Sequence, residues 1–260
     1  MIFIDQVGRT LEINFPVKKI ISIVPSQTEL LFDLGLNEEV VGITKFCIHP
    51  EEWFRTKKRV GGTKKLNFDV IRELQPDLIL ANKEENTKEE LEILMQEFPV
   101  WISDIKNVDD ALEMITAVGS LCNRESKAEE LIQGIQTNFS SLTSSLSKRK
   151  ALYFIWNDPM MIAGGDTFIA DMMQRSGFLN AALHLMRYPV VTIEEIKELQ
   201  PEYILLSSEP FPFKEKHQIE YAKLFPGSTI LLVDGEFFSW YGSRMLMAPH
   251  YFQTLTTNRD

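Results

Sequence analysis

The sequence predicts an α/β protein of two similar lobes, each with a parallel sheet and flanking helices, joined by a long backbone helix. Three observations predict it. Apolar, β-branched runs alternate with helical segments, the grammar of parallel sheets. A fifteen-residue helix-to-strand segment occurs twice, 125 residues apart. Between the halves, about forty residues carry helical spacing of apolar side chains with no strand pattern. The lobes are expected at 1–106 and 149–260, with the connector over 107–148.

The first lobe opens on Ile20-Ile21-Ser22-Ile23-Val24, a short apolar run stopped by Pro25, which suits a strand buried on both faces. Ser26-Gln27-Thr28-Glu29 reads as a capping box for a helix that carries Leu30, Leu31 and Leu34 and stops at Gly35. Val40–Ile43, Leu78–Ala81 and Val100–Ile102 read as further strands. Helices are expected near 68–75 and 88–97, the latter opened by a second capping box at Thr87 and Glu90. The connector has one weak point, near Gly119 to Asn123. Beyond it Ala151–Trp156 restarts the strand pattern, a helix spans Asp166 to Ser176 and closes at Gly177, and Tyr203–Leu206 and Ile230–Val233 supply more strands.

The repeat lays residues 67–81 over 192–206. Seven of the fifteen positions are identical, and Asp69/Glu194, Arg72/Lys197 and Asp77/Glu202 keep their charge. A period of one lobe length is too long for a solenoid unit, so it describes a pair of lobes.

The 260 residues, 44% hydrophobic, suffice for a large core. Acidic side chains outnumber basic ones 37 to 27, and the net charge of -10 argues against a nucleic-acid partner. Lys57-Lys58-Arg59 and Lys148-Arg149-Lys150 read as solvated turns. Cys47 and Cys122 form no metal or redox pair and are expected as unpaired thiols. The first residues show no secretion signal, which by itself implies a cytoplasmic protein. No apolar run is long enough to span a bilayer.

Ligands of open parallel sheets bind beyond the carboxyl ends of the strands. Two loops there are rich. Lys45-Phe46-Cys47-Ile48-His49-Pro50 carries an aromatic ring, a thiol and an imidazole. Asp234 to Arg244 packs Phe237, Phe238, Trp240 and Tyr241 with two acids and an arginine, and Trp156 to Met161 adds a possible wall. Aromatic faces with a few polar groups suit a large flat ligand, while the plainer reading is a hydrophobic cluster that pins the last helix. His49, with Glu52 nearby, is either an axial metal ligand or a hydrogen-bonding loop residue. His184, His217 and His250 lack ligand spacing, and Gly61-Gly62 and Gly164-Gly165 read as turns. No catalytic residue and no protein metal site is specified. Asp69 and Glu194, matched at two helix starts, read either as acids at a helix dipole or as a paired docking face.

These residues resemble the helical-backbone substrate-binding proteins of bacterial ABC importers, which carry cobalamin, haem or iron-siderophore chelates. The resemblance rests on Ile21 to Leu30, on Leu74-Gln75-Pro76-Asp77-Leu78-Ile79 with its second-lobe mate, on the connector, and on the closing segment to Ser243-Arg244. It covers about Lys19 to Leu255 and is nearest to the cobalamin-binding members. Taken with the two rich loops and the Trp156 wall, it leads to an expected ligand site of Phe46, His49, Trp156, Met160, Glu236, Trp240, Tyr241 and Arg244 in a cleft between the lobes. Phe46 falls where those members have a stacking aromatic, and Glu236 where they have an acid. Thr63 replaces an expected tryptophan, Met160 a phenylalanine and Trp240 an arginine. The resemblance further implies a monomer that takes a corrinoid, haem or iron chelate as ligand, with no catalytic cofactor. Asp69 and Glu194 would dock into arginine pockets of an ABC permease. It also implies work in the periplasm or cell envelope, against the cytoplasmic reading of the N-terminus. A cytosolic corrinoid- or tetrapyrrole-processing enzyme or carrier is the alternative, and a cytosolic sensor a third.

Overall fold

The computed structural model describes residues 1–142 and 149–257. The chain divides into two units: residues 1–104, 109–135 and 241–244 form the first, while 105–108, 136–240 and the chain from Met245 form the second. The short segment Tyr241–Arg244 thus packs with the first unit, outside the boundaries expected from sequence.

The first unit begins with a hairpin of β1 (Ile2–Ile4) and β2 (Thr10–Glu12), followed by β3 (Ile20–Ser22), α1 (Pro25–Asp33) and β4 (Val40–Ile43). Then come α2 (Glu51–Thr56), β5 (Lys58–Arg59), the hairpin β6 (Gly61–Gly62) and β7 (Lys65–Leu66), α3 (Phe68–Leu74) and β8 (Leu78–Asn82). It continues with α4 (Lys88–Met95), β9 (Val100–Ser103), α5 (Val108–Leu121) and α6 (Glu125–Ser140), of which the residues from 136 on belong to the second unit. Its main sheet runs β5-β4-β3-β8-β9, parallel throughout. Every residue of β3, β8 and β9 is buried, which is why these segments read as unbroken apolar runs and not as alternation.

The second unit contains β10 (Arg149–Trp156), β11 (Met161–Ile162), α7 (Phe168–Arg175), β12 (Phe178–Asn180), α8 (Ile193–Leu199) and β13 (Tyr203–Ser207). It ends with α9 (Glu215–Leu224), β14 (Thr229–Val233), α10 (Glu236–Ser239) and α11 (Ala248–Thr257). On one side of β10 lie β13 and then β14, all parallel; on the other, β12 pairs parallel along its start and β11 antiparallel along its end. The order β12-β10-β13-β14 therefore repeats β4-β3-β8-β9. Strand β12, only three residues long, was not evident in the sequence pattern.

The repeated segments adopt one local structure. Asn67 and Thr192 each cap a seven-residue helix through a side-chain oxygen, accepting from Val70 and Glu195 N–H. Gln75 and Gln200 end those helices in the left-handed region, at φ of 49° and 48°, before the prolines. Asp77 then accepts from the backbone N–H of Lys18 and Lys19, as Glu202 does from that of Lys150. Each carboxylate so ties the strand of its own repeat to the neighbouring one.

Two expectations need correction. The connector is not one helix but two, α5 and α6, and its expected end near Lys148 lies outside the described residues. The break follows from Asn123, at φ of 54°, and from Arg124 N–H, which bonds back to the Gly119 carbonyl at 2.7 Å. Gly119 permits the turn: a Cβ there would sit 2.5 Å from that of Ala128. Nor do the two expected capping boxes form. Helix α1 starts at Pro25 with no side-chain cap, because Glu29 is taken by Arg244; Thr87 makes no cap bond, and Glu90 accepts from Leu66 N–H at 3.0 Å.

Candidate functional site

In the first unit, the carboxyl end of the sheet carries the loop after β4 and the β6–β7 hairpin. Phe46 is 51% exposed. Lys45 Nζ stands 5.0 Å from its ring centroid. Gly62 lies against the ring edge, where an added Cβ would come within 3.1 Å. At Gly61, φ is +107° and a Cβ would lie 2.5 Å from the Lys65 carbonyl, so the hairpin requires glycine there. With Thr63, Lys64 and Lys65 these residues wall a groove of 990 Å³. That is ample for a ligand of drug size or larger.

The same loop turns Cys47 inward. Its thiol is fully buried, accepts from the Thr28 hydroxyl at 3.0 Å and lies 3.2 Å from that of Thr44. Burial pushes its pKa up, with the Thr28 and Thr44 hydrogen bonds opposing. Cys47 is a core thiol, and so is Cys122, which burial pushes up to about 12. His49 is half-buried and its charge favours the Glu29 carboxylate.

In the second unit, the matching end exposes Trp156, 39% accessible, whose indole N–H donates to the Asp158 carbonyl at 3.0 Å. Its ring meets Phe211 edge-on at 5.6 Å, and Phe211 continues to Phe213 at 4.8 Å and His217 at 5.2 Å. Met160 is half-buried against the core cluster of this sheet. Beyond β13 and β14 lies a pocket of 400 Å³ that includes Ser208, Phe213, Asp234 and Glu236. Glu236 is half-buried there, its backbone N–H donating to Asp234 Oδ1 at 3.1 Å. The structure thus places Phe46 in one recess and Glu236 in another. Sequence reasoning missed Phe211 and Phe213, although the alternation Glu209-Pro210-Phe211-Pro212-Phe213 directly after a strand was a usable signal.

The closing aromatic segment differs from expectation. Trp240 and Tyr241 are each only 6% exposed. The Trp240 indole N–H donates to Glu209 Oε1 at 2.8 Å, an oxygen that also accepts from the Ser239 hydroxyl at 2.5 Å. Around the Tyr241 hydroxyl lie Ser26, Ser103, Glu84 and Glu85; burial first, and Glu85 second, push it well above the ordinary tyrosine value. Arg244 grips both Glu29 oxygens, at 3.0 and 2.5 Å, with side chains 11% and 14% exposed. Burial raises the Glu29 pKa, with Arg244 opposing. All three side chains, expected as ligand walls, lie in the protein interior, where Glu209 takes the Trp240 indole N–H and Glu29 the Arg244 guanidinium.

Asp69 and Glu194 sit in the first turns of the mated helices α3 and α8 and are exposed. Asp69 is 3.3 Å from Arg72, whose guanidinium is mainly engaged by Glu97 at 2.7 Å. Among the described residues no cluster of three His, Cys, Asp or Glu side chains could hold a metal ion, and no helix is long and apolar enough to cross a membrane.

The family model for periplasmic binding proteins matches residues 20–222. An uncharacterised ABC transporter substrate-binding lipoprotein of Bacillus subtilis, YvrC, is 27% identical over 77% of this chain and 67% of its own. A vitamin B12-binding protein of Vibrio parahaemolyticus is 25% identical over 75% of this chain and 72% of its own. The solved structure of a periplasmic haem-binding protein from Pseudomonas aeruginosa superposes with a TM-score of 0.79 at 17% identity, covering 94% of each chain. The matched family model is of periplasmic proteins and the Bacillus subtilis relative is a lipoprotein, which is consistent with the envelope placement expected from the resemblance and does not support the cytoplasmic one.

Proposed function

Because the chain belongs to the periplasmic binding protein family, we propose that it is the substrate-binding component of an ABC importer and holds a metal-centred macrocycle or chelate, a cobalamin-like corrinoid being favoured. The observation that supports this reading is a pair of exposed aromatic rings, Phe46 and Trp156, each at the carboxyl end of its own unit's parallel sheet. An exposed ring forfeits roughly 25 cal/mol for each Å² it leaves in water, which a flat ligand recovers by covering it. Glu236, in a polar recess, suits the amide or hydroxyl rim of such a ligand. In this reading the protein acts as a monomer outside the cytoplasmic membrane, binds without catalysing, and presents Asp69 and Glu194 to arginines of a permease. Paired carboxylate–guanidinium contacts orient as well as attract.

The test is an absorption and mass spectrum of whatever co-purifies with the chain from its native host, followed by calorimetric titration of the emptied protein with cyanocobalamin and with haemin. Stoichiometric binding of cyanocobalamin supports the favoured ligand. Binding of haemin alone keeps the class and changes the member; turnover of either compound would replace the carrier reading with the enzyme one.

A further inference from the structure

We propose that the groove of the first unit selects chelates bearing acidic groups, carboxylate or phosphate, and that Lys45, Lys64 and Lys65 are the residues that select them. The inference rests on the reading that Phe46 stands in the ligand site. The chain as a whole is acidic, with a net charge of -10, so its overall field does not favour anions. The groove wall is locally reversed: Lys45, Lys64, Lys65 and Arg72 line it against a single carboxylate, Asp69. Arg72 is already occupied by Glu97 and Asp69. Among the described residues, the ammonium groups of Lys45 and Lys65 make no hydrogen bond or ion pair, and that of Lys64 is met only by the charge of the buried Glu85 carboxyl.

Their placement favours one kind of ligand. Lys45 stands beside the face of the exposed Phe46 ring, so a cation and a stacking surface are presented together. A flat conjugated body with an acid at its rim satisfies both at once, through ring stacking and a charge-assisted hydrogen bond. Lysine is a compact charge with three rotatable donors and takes carboxylate or phosphate oxygen equally, so the groove reads charge and not shape.

The experiment titrates the full chain, and its Lys45→Gln/Lys64→Gln/Lys65→Gln variant, with two pairs of probes. Haemin and haemin dimethyl ester differ in carboxylates; cyanocobalamin and dicyanocobinamide differ in the nucleotide loop that carries the phosphodiester, so for that pair the loss of the margin in the triple variant is what assigns it to charge. The acidic member of at least one pair is expected to bind the wild type about a hundredfold more tightly, as hydrogen bonds to charged groups are the strong ones. That margin should shrink with added salt and vanish in the triple variant, whose melting temperature, since all three lysines are exposed, should match the wild type. Which pair shows the margin tells carboxylate from phosphate. Equal binding within both pairs, or a margin that survives the triple substitution, overturns the inference and leaves the chelate-binding function standing. Binding of none of the four probes overturns both.

Discussion

The repeated segments 67–82 and 192–207 are near copies in structure, whereas the loops at the carboxyl ends of the two sheets share almost nothing. In the copies, a capped seven-residue helix, a left-handed glutamine, a proline, an acid that accepts backbone N–H groups and a buried strand recur in the same order. In the loops, the first unit offers Phe46 among lysines, and the second offers Trp156 on Phe211, with Asp234 and Glu236 in a separate recess. Backbone geometry is what the repeat preserves, because the hydrogen bonds that recur in both copies are local or between adjacent strands. Loop chemistry is free to diverge, since little of the fold depends on it.

The sharpest way to break this contrast is to exchange the roles of two tryptophans. Trp240→Ala removes a buried ring and leaves Glu209 without its indole donor, and should cost about 3–5 kcal/mol in urea unfolding. Trp156→Ala, at an exposed strand end, should cost less than about 1 kcal/mol. Similar losses would mean that strand-end loops carry as much of the fold as the interior does.

Next in size is Arg244→Met, which strands the Glu29 carboxyl in a buried site and should cost about 3 kcal/mol near neutral pH. The sign of its pH dependence follows from the direction of the Glu29 shift. A carboxyl whose folded pKa is raised binds its proton more tightly when folded, so its contribution to stability is present at low pH and is lost as pH rises through the raised value. Removing Arg244 raises that value further and widens the window. The variant should therefore lose more stability than the wild type as pH rises from the ordinary glutamate value through the raised one, as read from unfolding midpoints. Parallel pH profiles for the two proteins would contradict the buried pair.

A smaller effect probes the symmetry itself. Gln75→Gly and Gln200→Gly each relieve a left-handed residue and should stabilise by about 0.5–1 kcal/mol, alike in both units. Opposite signs would show that the two copies are not energetically equivalent. Smallest of all, Asp69→Asn and Glu194→Gln should change stability by no more than about 0.5 kcal/mol, because both acids are exposed. Loss of uptake in cells carrying these two changes, without loss of ligand affinity, is the outcome expected for docking acids.

The parts legible in the sequence were those written in neighbouring residues. The repeat could be read because its helix end, proline and apolar strand are consecutive, and Gly35 and Gly177 marked their helix ends through positive φ. What misled was distant pairing. Ser26 and Glu29 have the spacing of a capping box, yet Glu29 is claimed by Arg244, 215 positions away, and Glu90 by the backbone of Leu66. Trp240 and Tyr241 read as a binding wall because composition cannot tell a ring that faces solvent from one that is buried. The exposure of Phe46 was legible locally, because the hairpin beneath it opens with two glycines and brings no large side chain against the ring edge.

The most direct measurement is the ligand affinity of a Phe46→Ala/Trp156→Ala double variant, set beside its melting temperature. With the interior holding the fold and the strand-end rings holding the ligand, affinity should fall by at least about tenfold, as expected when aromatic anchors are truncated, while melting changes by only a few degrees. Unchanged affinity would place the ligand elsewhere, and a collapse in melting would make the two rings part of the core.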